Sequence, residues 1–186
     1  MRALVVAACL AVATVGCSSS STSSSSTVAP TTTAPPIPVG AAPVLLDKIR
    51  PAIAALEAQL GGPQRYFEVN ATVTLVNLFV AVDDGTKAVA YIYEADGVLE
   101  PPAEPLPASG PTFAAADMTF DETRVMALTV SQLPTSTFLR FSVTGVDGGG
   151  VSYAITAGSD TGTEFQVLVG PTGNVLGTDQ LTPSES

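Results

Sequence analysis

The chain has 186 residues, a formal net charge of −10, two cysteines and no histidine. The absence of histidine excludes Ser-His-Asp and Cys-His catalysis, and with it the common His/Cys zinc sites. The acidic balance argues against a nucleic-acid partner and against electrostatic binding to anionic lipid.

Residues 1–16 have the pattern of a secretory signal peptide. Arg2 supplies a positive charge, and residues 3–15 contain no charged side chain. This apolar run is shorter than the about 20 residues of a membrane-spanning helix, and it fits the apolar region of a signal sequence. We therefore predict export from the cytoplasm.

Cys17 follows this run directly after Val15 and Gly16. These residues resemble the lipobox of bacterial lipoproteins, although Thr14 stands where that family has Leu, Val or Ile. The resemblance implies that Cys17 receives a diacylglycerol, becomes the first mature residue and carries palmitate-type chains on the extracytoplasmic face of the cell membrane. Cys9 leaves with the signal peptide, so no free thiol is left. The alternative is an ordinary signal peptide with an incidental cysteine.

Residues 17–43 form the next segment, which after Cys17 consists largely of Ser, Thr and Pro. This composition has too little apolar bulk to repay the entropy of ordering. We predict a disordered tether that holds the rest of the chain away from the membrane. Clustered Thr and Pro also permit O-glycosylation, so a bare spacer and a glycosylated stalk both stay open.

After the tether, the same order of elements occurs twice. Apolar residues at helical spacing occur in residues 45–60 and again in residues 119–133. Each stretch starts with Asp-x-x-Arg, and a β-rich segment with Gly and Asp turns follows each one. Pro51 is tolerated only near a helix start, and Thr119 with Glu122 has the spacing of a capping box.

This order predicts an α+β fold of two tandem helix-then-antiparallel-sheet units, which share one continuous sheet or pack together. The predicted parts are a first unit at residues 44–100, a Pro-rich extended linker at 101–118, a second unit at 119–182 and a tail at 183–186. A unit of about 60 residues is marginal alone, so we expect neither half to fold in isolation.

Both units close on a similar phrase, Asp-Gly-Val-Leu at residues 96–99 and Gly-Asn-Val-Leu at residues 173–176. The element order and these phrases resemble the PepSY-type and inhibitor-like modules of exported bacterial proteins, in which a helix packs on a small antiparallel sheet. The lipobox and tether resemble those of actinobacterial envelope lipoproteins. The resemblance implies a fold and a location, and it supplies no active-site pattern.

Paired carboxylates are the catalytic groups that the sequence leaves open. The pairs are Asp83 with Asp84, Asp117 with Asp121 and Glu122, and Asp160 with Glu164. Turns and a helix first turn account for most of them. The Gly-rich loops at 147–150 and 160–162 supply too few oxygen ligands for calcium, so we predict no metal and no cofactor. Asn70 begins an N-glycosylation pattern within a predicted strand.

Three functional hypotheses follow. The leading one is a non-enzymatic, membrane-anchored lipoprotein that binds another envelope protein. Its candidate interface is a sheet face bearing Tyr91, Tyr93 and Tyr153, since tyrosine recurs at interfaces; the alternative is that these tyrosines belong to a half-buried core. The first alternative is a carrier or sensor of an apolar ligand held between helix and sheet. A hydrolase that uses carboxylates alone is the third hypothesis.

Overall fold

A computed structural model describes residues 44–180 of the chain. The predicted signal peptide, Cys17, the tether and the tail lie outside these residues. Within the described part, two α-helices and nine β-strands are present.

The two helices lie where the apolar spacing predicts them. The first helix, α1, spans Ile49–Leu60 after a single 3-10 turn and ends at Gly61, which has a left-handed φ of 82°. Pro51 lies in its first turn, where a backbone N–H has no intrahelical acceptor. The second helix, α2, spans Glu122–Gln132.

The cap of α2 differs from the predicted one. Asp121 is the N-cap residue, and its Oδ1 accepts a hydrogen bond from the backbone N of Arg124 at 2.9 Å. The helix starts at Glu122, so Thr119 lies too far upstream to cap it and the predicted capping box is wrong. A carboxylate at the N-cap also suits the positive end of the helix dipole.

The strands form one antiparallel sheet. Their bounds are β1 Arg65–Ala71, β2 Leu75–Val82, β3 Lys87–Glu94, β4 Leu106–Pro107, β5 Phe113–Ala114, β6 Thr137–Gly145, β7 Val151–Gly158, β8 Glu164–Val169 and β9 Val175–Gln180. They lie in the order β4-β3-β2-β1-β6-β7-β8-β9, with β5 beside β1, and the sheet is not closed. The predicted combination of helices with an antiparallel sheet is therefore confirmed.

The Pro-rich segment at 101–118 contributes to the sheet in addition to connecting the two halves. The backbone N of Ala103 donates to the carbonyl of Ala90 at 3.0 Å, and β4 continues this pairing along the edge of β3. Proline is tolerated at a sheet edge because its missing N–H faces away from the neighbouring strand. Further along, Phe113 of β5 is completely buried.

One hydrophobic core lies between the two helices and one face of the sheet. Ile49 of α1 and Val125 of α2 are completely buried in it. In β2, Val76, Leu78 and Val80 are also buried, whereas the alternate residues of the strand are half-buried. Because successive side chains of a strand point to opposite faces, the described helices cover one face and leave the other uncovered.

Candidate functional site: the uncovered face of the sheet

We call the uncovered face of the sheet the open face. Strand alternation and register place the following side chains on it: Arg65, Glu68, Asn70, Leu75, Asn77, Phe79, Ala81, Ala88, Ala90, Ile92, Glu94, Arg140, Ser142, Thr144, Ser152, Ala154, Thr156, Glu164, Gln166, Leu168 and Asp179. Most of them are half-buried, as expected for side chains that have neighbours beside them and none above.

A polar strip crosses the middle of the open face. Asn77, Asn70 and Ser142 lie opposite one another on β2, β1 and β6. Asn77 Nδ2 donates to Asn70 Oδ1 at 2.8 Å, and Asn70 Nδ2 donates to Glu68 Oε1 at 2.8 Å. Ser142 Oγ also donates to Glu68 Oε1, at 3.2 Å. These four residues are the polar strip.

The hydrogen bonds of the polar strip explain why polar side chains are tolerated there. Asn70 is 4 % exposed and Ser142 is 8 % exposed, and a buried amide or hydroxyl without a partner is destabilising. Glu68 is half-buried, and its second oxygen, Oε2, makes no hydrogen bond among residues 44–180. A carboxylate can accept several hydrogen bonds, so Glu68 can take a donor or a cation from outside.

Apolar side chains lie on the β2–β3 side of the polar strip. Phe79 lies opposite Ala90, Ala81 lies opposite Ala88, and Ile92 lies opposite Asn77. We define the apolar patch by five half-buried side chains: Leu75, Phe79, Ala88, Ala90 and Ile92. A contiguous apolar surface beside polar groups is a common feature of binding sites.

The tyrosines predicted as the interface lie in the core. Tyr91, Tyr93 and Tyr153 are 7 %, 8 % and 5 % exposed. All three point to the helix side of the sheet, and the hydroxyl of Tyr153 accepts a hydrogen bond from the backbone N of Thr119 at 2.9 Å. They therefore offer little surface to a partner, and the exposed surface of β3 belongs to the residues between its tyrosines.

Asp83, Asp117 and Asp121, from two of the predicted carboxylate pairs, have local structural roles. Asp83 forms an ion pair with Lys87 Nζ at 2.8 Å in the β2–β3 turn. Asp117 Oδ2 accepts from the backbone N of Ala114 at 2.8 Å, and Asp121 caps α2. In the described residues, no group of three or more acidic, His or Cys side chains could hold a metal ion.

Asn70 and the residues between α1 and the sheet are almost completely buried. The amide of Asn70 is buried in the polar strip, which leaves no room for a glycan there. Ala52 and Leu56 of α1 are completely buried, as is Val69 of β1 beneath them. These buried side chains lie between helix and sheet, in the region where the carrier hypothesis places an apolar ligand.

Two surface cavities occur away from the helix–sheet interior. One, of about 420 Å³, lies at the β7–β8 turn beside β9, and the other, of about 400 Å³, lies at the β2–β3 turn. Their lining residues include Phe165 and Asp179 in the first and Arg65 and Asp83 in the second. Neither is enclosed by apolar side chains as a carrier site requires.

Comparisons with known proteins give no relative. No family model matches the chain, and no curated protein or solved structure is significantly similar to it. Neither helix within residues 44–180 is long and apolar enough to cross a membrane.

Sequence reasoning missed the open face because β3 is apolar on both sides. Residues 87–94 read Lys-Ala-Val-Ala-Tyr-Ile-Tyr-Glu, so periodicity alone does not say which set points to the helices. The one available signal was size, since Val89, Tyr91 and Tyr93 are larger than Ala88 and Ala90. Large side chains fill a core beneath helices, and small ones suit a flat exposed sheet.

Proposed function

We propose that the protein is a non-enzymatic, membrane-anchored lipoprotein on the extracytoplasmic face of the cell membrane, and that its open face binds another envelope protein. The anchor is supported by Gly16-Cys17 at the end of a signal-like apolar run and by the Ser, Thr and Pro tether that follows. The observation that carries the binding proposal is the open face itself, where the apolar patch adjoins a Glu68 oxygen without a described partner.

We further infer that the sheet arose by duplication of a helix-plus-meander unit. Register supports this inference. Both central strands carry a bulge at the same place, between Tyr66 and Glu68 in β1 and between Phe138 and Arg140 in β6. When the two bulges are aligned, the pairing registers make β1 equivalent to β6, β2 to β7 and β3 to β8. The row Val69, Leu78, Tyr91 then corresponds to the row Phe141, Ile155, Val167.

The turns after β3 and β8 support the same equivalence. Glu94 N donates to Val98 O at 2.8 Å, and Gly170 N donates to Asn174 O at 2.9 Å. Inside these turns, Gly97 N donates to Glu94 O at 3.0 Å, and Gly173 N donates to Gly170 O at 2.9 Å. Both glycines have positive φ, of 96° and 87°.

The proposed duplication places Asn70 and Ser142, which are equivalent, opposite each other where β1 meets β6. A local twofold relation at this pair accounts for one wide sheet with both helices on the same side. Among residues 44–180, the helices leave the second side of this sheet uncovered across both halves, and this side is the surface to which we propose that the partner binds.

The anchor is tested by Cys17→Ala in the full chain. We expect the variant to be released from the membrane or to remain uncleaved, because the acyl chains provide the attachment. Membrane fractionation and the mass of the mature N-terminus are the measurements. A cleaved variant that still fractionates with membrane would overturn the lipoprotein proposal.

Partner binding is tested by photo-crosslinking in intact envelopes. A photo-reactive amino acid is placed at Ala90 or at Gln166 on the open face, or at Gln59 on the exposed side of α1. We expect a discrete protein adduct from an open-face position and none from Gln59. Adducts from Gln59 alone, or from no position, would contradict the proposed function.

A further inference from the structure

Resting on the proposed function, we propose that the partner binds the first half of the open face, through the apolar patch and Glu68. Its contact segment presents an apolar side chain to Phe79 and Ile92 and a neighbouring Lys or Arg to Glu68 Oε2. The partner is thus a protein that presents a loop or helix in which an apolar side chain lies next to a Lys or Arg.

Equivalent positions on the core side of the two halves keep one chemical character. The pairs, first half before second, are Val69 and Phe141, Leu78 and Ile155, Val80 and Ala157, and Tyr91 and Val167. Every one of these side chains is buried and apolar. Packing beneath the helices therefore accounts for the residue types on this side of the sheet.

Four pairs of equivalent positions on the open face differ in character, whereas the pair Ile92 and Leu168 does not. Phe79 corresponds to Thr156, Ala90 to Gln166, Ala88 to Glu164, and Glu68 to Arg140. The second half makes the same sheet with polar side chains, so the fold does not need apolar ones at these places. An apolar surface that the fold does not require, and that water faces, indicates contact with a partner.

The charged side chains of the open face indicate the charge of the partner segment. The described charges of the open face are Glu68, Glu94 and Arg65 in the first half and Glu164, Asp179 and Arg140 in the second half, within a chain of net charge −10. Arg140 lies on the far side of the Asn70–Ser142 pair from Glu68, and its Nη2 donates to Thr156 Oγ1 at 3.5 Å. A cationic segment is attracted to Glu68 and repelled by Arg140, and the apolar patch beside Glu68 favours its binding to the first half.

Ile92 and Leu168 provide a matched pair for the test. They are equivalent, both are half-buried on the open face, and both are large aliphatic side chains. Truncation to alanine removes similar apolar area from each, so the two variants differ chiefly in which half they change. Glu68→Gln and Glu164→Gln form a second pair, which removes one charge from each half.

The test starts from the adduct obtained in intact envelopes with the photo-reactive residue at Ala90, whose partner is identified by mass spectrometry and purified. Its equilibrium binding to the full-length lipidated protein in detergent micelles is then measured for each variant. We expect Ile92→Ala and Glu68→Gln each to weaken binding about tenfold, and Leu168→Ala and Glu164→Gln to change it less than about twofold. Raising the salt concentration should weaken wild-type binding more than Glu68→Gln binding.

The outcomes separate this inference from the proposed function. Adducts from Gln166 and none from Ala90, or equal losses in Ile92→Ala and Leu168→Ala, overturn the inference and leave partner binding intact. A crosslinked partner peptide without Lys or Arg also overturns it. No adduct from either half overturns both proposals. Unchanged thermal unfolding of Glu68→Gln shows that its effect on affinity is not a folding defect.

Discussion

Arg50 and Glu122 join the N-terminal ends of the two helices, with Arg50 Nε 3.5 Å from Glu122 Oε1. Arg50 Nη2 also donates to the carbonyls of Met118 and Phe120, at 3.4 Å and 3.3 Å. Its guanidinium carbon lies 5.4 Å from the centre of the Phe120 ring. A residue of the first half thus holds the segment that leads into α2.

We expect Arg50→Met to lower the free energy of unfolding by about 1–2 kcal/mol, because two charge-assisted hydrogen bonds and a ring contact are lost while the aliphatic stem is kept. Glu122→Gln should cost less than about 0.5 kcal/mol, since the ion pair is partly exposed. Urea unfolding of both variants is the measurement. Equal losses would mean that the ion pair, and not the carbonyl contacts, is the main contribution.

We expect the buried hydroxyl of Tyr66 to make the folded protein less stable at alkaline pH. Its ring is completely buried, and its hydroxyl donates to Glu57 Oε1 at 3.2 Å. Burial raises the pKa of Tyr66 well above its usual value, and the charge of Glu57 and this hydrogen bond raise it further. Folding therefore favours the protonated phenol.

The stability that this protonation contributes is fully present below the unfolded-state pKa of about 10 and is lost as the pH rises above it. We expect the free energy of unfolding to fall between about pH 9 and pH 11 more steeply in the wild type than in Tyr66→Phe. Urea unfolding across this range provides the slopes. Parallel slopes would show that Tyr66 does not retain its proton in the folded protein.

Local patterns in the sequence predict the helices and strands, whereas the candidate site depends on the pairing of strands that are far apart in the chain. Apolar spacing, Pro51 and the Gly turns locate α1, α2 and the strands, since each of these signals acts within a few residues. The polar strip depends on the pairing of β1 with β6, which brings Ser142 to Glu68 across 74 positions. No local sequence pattern predicts which residues of β1 and β6 pair. The sequence therefore suggested an interface at tyrosines that are in fact buried in the core.

The central pairing also predicts that neither half folds alone. Val69 of β1 lies opposite Val143 of β6, and both are completely buried. A chain limited to residues 44–103 would expose this edge of β1 to water and would lack Val143 and the other buried residues of the second half. We expect such a fragment to show no cooperative thermal unfolding, and co-expression with residues 104–186 to restore it. Cooperative melting of the isolated fragment would contradict the mutual dependence of the halves.

Gly97 and Gly173 occupy equivalent positions in two similar turns, but only the turn of Gly173 packs against a helix. Alanine substitutions at the two positions therefore distinguish the cost of backbone strain from the cost of a clash with the helix. Both have positive φ, so alanine at either position is strained by about 1 kcal/mol. A Cβ on Gly97 would lie 3.4 Å from Tyr93 Oη, which is at the end of a side chain. A Cβ on Gly173 would lie 2.6 Å from Val125 Cα and 2.8 Å from Val125 O, which belong to the backbone of α2.

We therefore expect Gly97→Ala to lower the free energy of unfolding by about 1 kcal/mol and Gly173→Ala by about 3 kcal/mol or more, because α2 must move to admit the new methyl group. Urea unfolding of the two full-length variants gives the comparison. The two turns have the same hydrogen bonds and backbone conformation, so backbone strain contributes equally to both variants. The difference between their losses in free energy of unfolding therefore measures how closely α2 packs on the β8–β9 turn. Equal costs would mean that α2 shifts at little cost and that its packing on the second half is loose.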